Sequence, residues 1–227
     1  MIKPTGDPDT GEVGFSKLWR TDFTGTTVTD VTPVADAAVE GAVHVTALGQ
    51  QVLFTMTKGN ETTLWVIADP SSSATQIGPT FPGVYWSSTH SDDLLYFIAG
   101  NADSIGYAIW RTDGTDAGTF EVWSGDSSPN AVFASGSTLS FLVETAPNFT
   151  WALWHSDGTQ AGTVSLGKSF ATTYFGANIG NKTCFVGAPT DPSSARVWVT
   201  DGTVEGTRPA LANPSGSSAE SVYAASG

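Results

Sequence analysis

The sequence predicts an all-β fold: a five-bladed β-propeller of four-stranded antiparallel blades in one domain spanning residues 1–227. Three observations predict it. Segments centred on Trp19, Trp65, Trp110, Trp154 and Trp198 recur at spacings of 46, 45, 44 and 44 residues. Each repeat holds short apolar runs divided by turn residues. The period also closes across the chain ends, because 29 residues follow Trp198 and 19 run up to and include Trp19, giving 48. A four-stranded unit recurring about every 45 residues marks a propeller blade. A parallel β-helix is the rival, but its repeats are shorter and need no closure.

The elements follow in order within each repeat. In the third copy the four strands are expected at Val84-Tyr85-Trp86, Leu94–Ile98, Tyr107–Trp110 and Thr119–Trp123. The third strand carries the repeated Trp, in Lys17-Leu18-Trp19, Thr63-Leu64-Trp65, Ala108-Ile109-Trp110, Ala152-Leu153-Trp154 and Arg196-Val197-Trp198. A lone blade cannot bury both faces, so this Trp is expected to fill the wedge between adjacent blades. Three copies continue as Asp-Gly-Thr-x-x-Gly-Thr, from Asp113, Asp157 and Asp201. Gly tolerates positive φ and Asp bonds nearby backbone, so the motif suits a tight turn between third and fourth strands. Copy one is shortened to Asp22-Phe23-Thr24-Gly25-Thr26, and copy two is degraded to Asp69-Pro70-Ser71-Ser72-Ser73-Ala74-Thr75. The final run, Ser221–Ala225, matches a first strand, and Met1–Lys3 falls where a second strand ends. The fifth blade is therefore expected to combine strands from both termini and so latch the ring.

The Leu-Trp-x-Thr-Asp-Gly-Thr-x-x-Gly-Thr pattern resembles the ELWxxDGTxxGT repeat family of large exported and surface proteins of bacteria. The leading Glu is absent, replaced by Lys17, Thr63, Ala108, Ala152 and Arg196. The resemblance implies a propeller and an extracellular or cell-surface setting. It implies no particular activity, since these residues describe turns and packing.

Composition narrows the partners. The 227 residues carry 9 basic and 22 acidic side chains, for a net charge of −13. Nucleic acid is thereby disfavoured, because phosphate backbones need Lys and Arg clusters. No apolar stretch reaches the length of a membrane helix. Met1–Gly6 has no apolar core, so no signal peptide is expected there. A single cysteine, Cys184, excludes an intrachain disulfide and a multi-thiolate metal site. Its apolar neighbours in Thr183-Cys184-Phe185-Val186 predict a buried, inert thiol.

Chemistry-bearing constellations are few. Five-bladed hydrolases of arabinans and fructans carry carboxylates on their innermost strands. Here those strands are expected at residues 43–47, 84–88, 131–135, 173–177 and 221–225, and none holds Asp or Glu. His44, His90 and His155 have no nucleophile elbow or Cys partner beside them, and no zinc spacing exists. His155 stands where other copies have Arg20 and Arg111, which predicts a packing or surface residue rather than a base. No catalytic residue is expected. In Gly6-Asp7-Pro8-Asp9-Thr10-Gly11-Glu12, Asp7, Asp9 and Glu12 offer oxygen donors for calcium, although only a fragment of the EF-hand pattern is present. The repeated Asp113, Asp157 and Asp201 read as turn residues.

Three Trp residues stand outside the repeat: Trp86, Trp123 and Trp151. Each either stacks on a sugar or fills a gap between unequal blades. The third repeat breaks its own pattern along 85–93, where Tyr85 and Trp86 supply stacking faces and His90 and Asp92 supply hydrogen-bonding groups. That mixture marks a candidate ligand site. The expected function is a non-enzymatic extracellular binding module, lectin-like, for a glycan or surface protein. The alternative is an interaction or structural propeller within a larger exported bacterial protein, and a glycoside hydrolase ranks third. The domain is expected to be monomeric within a larger chain.

Overall fold

The computed structural model describes residues 19–21, 28–30, 41–82, 84–91, 93–100, 106–135, 137–145, 150–189 and 192–210, with the backbone alone at some strand positions, Trp19, Tyr85 and Trp86 among them. Apart from one 3-10 turn (Pro192–Ser194), the regular elements among these are β-strands. A first pair, β1 (Trp19–Thr21) and β2 (Val28–Asp30), is antiparallel. Four complete four-stranded meanders follow. Sheet 1 comprises β3 (Gly41–Leu48), β4 (Gln51–Lys58), β5 (Glu61–Ile67) and β6 (Thr75–Phe81). Sheet 2 comprises β7 (Val84–Ser91), β8 (Leu94–Gly100), β9 (Tyr107–Thr112) and β10 (Phe120–Gly125). Sheet 3 comprises β11 (Pro129–Ser135), β12 (Thr138–Thr145), β13 (Thr150–Ser156) and β14 (Val164–Phe170). Sheet 4 comprises β15 (Thr172–Ile179), β16 (Lys182–Ala188), β17 (Arg196–Thr200) and β18 (Arg208–Pro209).

The strand pattern explains the stacking. Side chains alternate across a strand, so a strand apolar on both sides must be covered on both sides. In β8, Leu95, Phe97 and Ala99 join a core with Leu53, Leu64, Val66, Ile77 and Phe81 of sheet 1. Tyr96 and Ile98, pointing the other way, join Leu139, Phe141 and Val143 of sheet 3. A third core joins Leu142, Leu153, Leu166 and Phe170 of sheet 3 to Phe185 of sheet 4. Consecutive sheets thus pack face to face in chain order. Tight hairpins keep the strands of a sheet adjacent: Gly49 and Gly180, each opening a two-residue loop, have φ of 58° and 59°, a region favouring residues without Cβ.

The repeated Trp does fill the seams. Trp110 of sheet 2 meets Phe81 of sheet 1 at 5.0 Å between ring centroids, and Phe81 meets Phe97 at 5.5 Å. Trp154 of sheet 3 meets Trp123 of sheet 2 at 6.1 Å and stacks on Phe141 at 6.2 Å. Trp198 of sheet 4 meets Phe170 of sheet 3 at 5.0 Å, with Phe185 5.2 Å from Phe170. Each seam therefore holds one aromatic trio: the outer strand of one sheet supplies a ring, and the second and third strands of the next supply two. Edge-to-face pairs of this kind contribute about 0.5–1.5 kcal/mol each beyond their buried area.

The first strands lie side by side, β11 between β7 and β15. Expected innermost strands 43–47, 84–88, 131–135 and 173–177 fall within β3, β7, β11 and β15, while 221–225 and Met1–Lys3 lie outside the described residues. The outward faces at the two ends of this stack are also buried. Phe54, Met56 and Ile67 are covered on the side of sheet 1 away from sheet 2, as are Val186 and Ala188 on the side of sheet 4 away from sheet 3.

Candidate functional site

The Asp-Gly-Thr-x-x-Gly-Thr segments form closed hydrogen-bond cassettes between third and fourth strands. Asp113 Oδ1 accepts the amide and hydroxyl of Thr115 at 2.9 and 2.7 Å. Asp157 does the same with Thr159 at 2.9 and 2.7 Å, and Asp201 with Thr203 at 3.0 and 2.8 Å. The Thr hydroxyl oxygen in turn accepts the second Gly N–H, from Gly118, Gly162 or Gly206. The closing Thr donates to the carbonyl of the first Thr, as Thr163 does to Thr159 at 2.7 Å. Its oxygen also lies 2.7–2.8 Å from the hydroxyl preceding each Asp, that of Thr112, Ser156 or Thr200. The first Gly must turn left-handed, with φ of 86°, 89° and 88° at Gly114, Gly158 and Gly202. A Cβ on the second Gly would overlap the Asp carboxylate. Every motif residue is thus employed within its own loop.

Copy two reaches the same end by another route. Pro70 stands at the first-Gly position, and its fixed negative φ forbids the left-handed turn. Asp69 Oδ1 instead accepts the amide and hydroxyl of Ser71 at 2.7 and 2.5 Å, and its Oδ2 accepts Ser72 Oγ. These bonds hold the Asp69 carboxyl at about 2. Bonds from Thr159 and Thr203 lower Asp157 and Asp201 too. At Asp113 burial raises the pKa, but bonds from Thr115 and the charge of Arg111 leave it lowered overall.

A polar ladder ties the first strands together. Thr46 Oγ1 lies 2.8 Å from His90 Nε2, joining β3 to β7. Thr89 Oγ1 accepts the Ala134 N–H at 3.4 Å, joining β7 to β11. Asn178 Nδ2 donates to the Ala134 carbonyl, and Thr183 donates to Asn178 Oδ1 at 2.9 Å. Ser135 Oγ donates to the Gly180 carbonyl at 2.8 Å. Of these groups only His90 stands out from the sequence. A signal for Thr46 and Asn178 is the repeat position they share with His90 and Ala134, 44 residues apart from copy to copy, hidden because each copy holds a different residue type there.

Of the expected ligand residues, His90 is exposed at the end of β7 and bonded across to β3. Tyr85 and Trp86 lie on β7, but their side chains, like Asp92, are outside the described residues. Asp7, Asp9 and Glu12 also lie outside them, and among the described residues no three His, Cys, Asp or Glu converge as metal ligands. The extra Trp123 is buried in the seam trio, and Trp151 packs on the core shared by sheets 3 and 4. Trp123 thus fills a gap between blades, and Trp151, partly buried, packs against one. Cys184 is partly rather than fully buried, and that burial raises its thiol pKa while Lys182 opposes the rise. His155 lies in a seam, as a packing residue would, and burial lowers its pKa against the pull of Asp157 and Asp201.

No protein-family model matches the chain, and no curated protein matches it. Solved structures do. The chain is similar to the β-propeller domain of the Trilobed protease from Pyrococcus furiosus, whose topology is described as an open velcro. The TM-score is 0.60 at 12% identity, covering 92% of this chain and 67% of that one. It is also similar to the Pyrococcus horikoshii acylaminoacyl peptidase, with a TM-score of 0.52 at 12% identity, covering 82% of this chain but 33% of that one. An acylaminoacyl peptidase in complex with Z-Gly-Gly-Phe-chloromethyl ketone gives a TM-score of 0.52 at 11% identity, covering 81% and 32%. The chain thus spans about a third of the length of the peptidases it matches. At these identities the likeness is one of fold, and the stacked sheets are those of a β-propeller module.

Proposed function

We propose that the chain is a non-enzymatic interaction propeller, a module of a larger exported bacterial protein. The observation that carries this reading is the employment of its chemistry-bearing residues in construction. The Asp residues of the intact motifs close their own turns, Trp123 and Trp151 pack between blades, and β3, β7, β11 and β15 carry no carboxylate. The burial of both outward faces of the four-sheet stack supports a fifth blade that closes the ring, in keeping with the strand pair β1–β2 and the period across the termini.

Glycan binding is the second reading, favoured by the exposed His90 on the one first strand that carries Tyr85 and Trp86. A broad glycan array, run beside peptidase and glycosidase assays, tests both readings. The interaction module predicts no glycan signal above background and no turnover. A glycan signal that Trp86→Ala abolishes would replace it with the lectin reading, and turnover of either substrate class would overturn both.

A further inference from the structure

The same point in three successive seams is filled in three different ways. It is the place where the residue after the repeated Trp meets the first Gly of the next sheet's turn. Between sheets 2 and 3, Arg111 Nη1 donates to the Gly158 carbonyl at 3.1 Å, and Tyr96 donates to the Ser137 carbonyl at 2.8 Å. The guanidinium also covers the Phe120 ring at 4.7 Å. Between sheets 3 and 4, the equivalent residues are His155 and Ser140. The imidazole lies so close to Gly202 that a Cβ there would overlap the ring, and its Nδ1 stands 3.4 Å from Ser140 Oγ. Between sheets 1 and 2 the equivalents are Val66 and Leu53, and Gln51 reaches Gly114 instead. One seam is closed by apolar side chains and a neutral amide, one by a permanent cation and one by a titratable ring.

We propose that the seam between sheets 3 and 4 is an acid-sensitive latch, in which protonation of His155 loosens sheet 4 from sheet 3 while the Arg111 seam stays shut. A charged imidazole needs solvation that close apposition to Gly202 withholds, so an opened seam accepts the proton more readily than a closed one. The charged groups acting on the ring are Asp157, on the turn after β13, and Asp201, on the turn after β17. Both favour the cation, but their Oδ1 atoms are already bonded to Thr159 and Thr203, and burial outweighs them. The sign follows. Above the ordinary histidine value near 6.5 the latch is insensitive to pH. As pH falls below it, the opened state gains the proton first, and opening becomes more favourable by up to about tenfold per pH unit. The dependence ends once His155 also protonates within the closed seam.

Amide hydrogen exchange on the full chain at pH 7.5 and 5.0, corrected for the intrinsic pH dependence of exchange, reads this directly. Amides of β14 and β17 should gain opening at pH 5.0, while those of β9 and β10 should not. His44 is also shifted down by burial, so parent and variant are compared at each pH. His155→Gln, and separately His155→Arg, which installs the Arg111 chemistry, should remove the acid-dependent increment. Equal acid opening in parent and His155→Arg, or equal acid opening of both seams, would overturn the proposal. Should His155→Gln fail to fold, the imidazole titration of the parent by NMR decides. A midpoint below that of a free histidine supports the latch, and one at or above it overturns the latch.

Discussion

The turn at Asp157–Thr163 and the turn at Asp69–Thr75 occupy the same place in sheets 3 and 1, yet they are built from different parts. The first relies on two glycines: Gly158 supplies a left-handed φ of 89°, and Gly162 leaves room for the Asp157 carboxylate. The second has Pro70 and Ala74 at those positions and recruits hydroxyls from Ser71 and Ser72. Both nevertheless keep Asp as the acceptor at the head of the turn, and both deliver the chain into a fourth strand. The requirement is therefore a carboxylate that satisfies the turn's donors, with glycine one of two ways to reach it. A glycine-poor copy can look degraded in sequence while remaining satisfied in structure.

Three measurements test how far the two turns differ. The largest effect should be common to both repeats, because the Trp packs against the core and is not part of the turn. Trp154→Ala and Trp65→Ala should each lower unfolding free energy by about 3–5 kcal/mol. That is a large share of the roughly 5–15 kcal/mol typical of a domain. Denaturant titration showing a much smaller loss for Trp65→Ala would mean that the altered turn has also released its Trp.

A middle-sized effect should separate the turns. Gly162→Ala pushes a methyl into the Asp157 carboxylate and should cost about 1–3 kcal/mol through lost charge-assisted bonds. The reciprocal Ala74→Gly should cost about 0.5–1 kcal/mol, the ordinary penalty of added chain freedom. Equal thermal midpoints for the two variants would erase the distinction. The smallest effect concerns one hydroxyl. Thr163 bonds the Thr159 carbonyl and faces Ser156, so Thr163→Val should cost about 1 kcal/mol. At the matching exposed Thr75, Thr75→Val should stay within about 0.5 kcal/mol. A larger loss at Thr75 than at Thr163 would reverse the assignment of roles.

The fold was legible because its signals are local. Leu94–Ile98 and Tyr107–Trp110 announce strands by composition, and Asp113-Gly114 announces the turn between its neighbours. The candidate site was much less so. Trp123 stood out as an extra aromatic, whereas it is the counterpart of Phe81 and Phe170 in the seam trios. The spacings between those three are uneven, and β9–β10 pairing shifts register between Glu121 and Trp123, which hides the equivalence in one dimension.

The repeat, the four-strand unit and the chemistry of each turn are written locally, because hairpin pairing and Asp–Thr bonding act over two to seven residues. What each residue after the repeated Trp does depends instead on how neighbouring sheets pack. Arg111 and His155 share one repeat position, yet the first donates to Gly158 and the second lies against Gly202 beside Ser140. Seam partners come from different repeats, about 45 residues apart. Whether a side chain there is solvated, bonded or pressed against a glycine depends on how two sheets meet, and no single repeat encodes that contact alone.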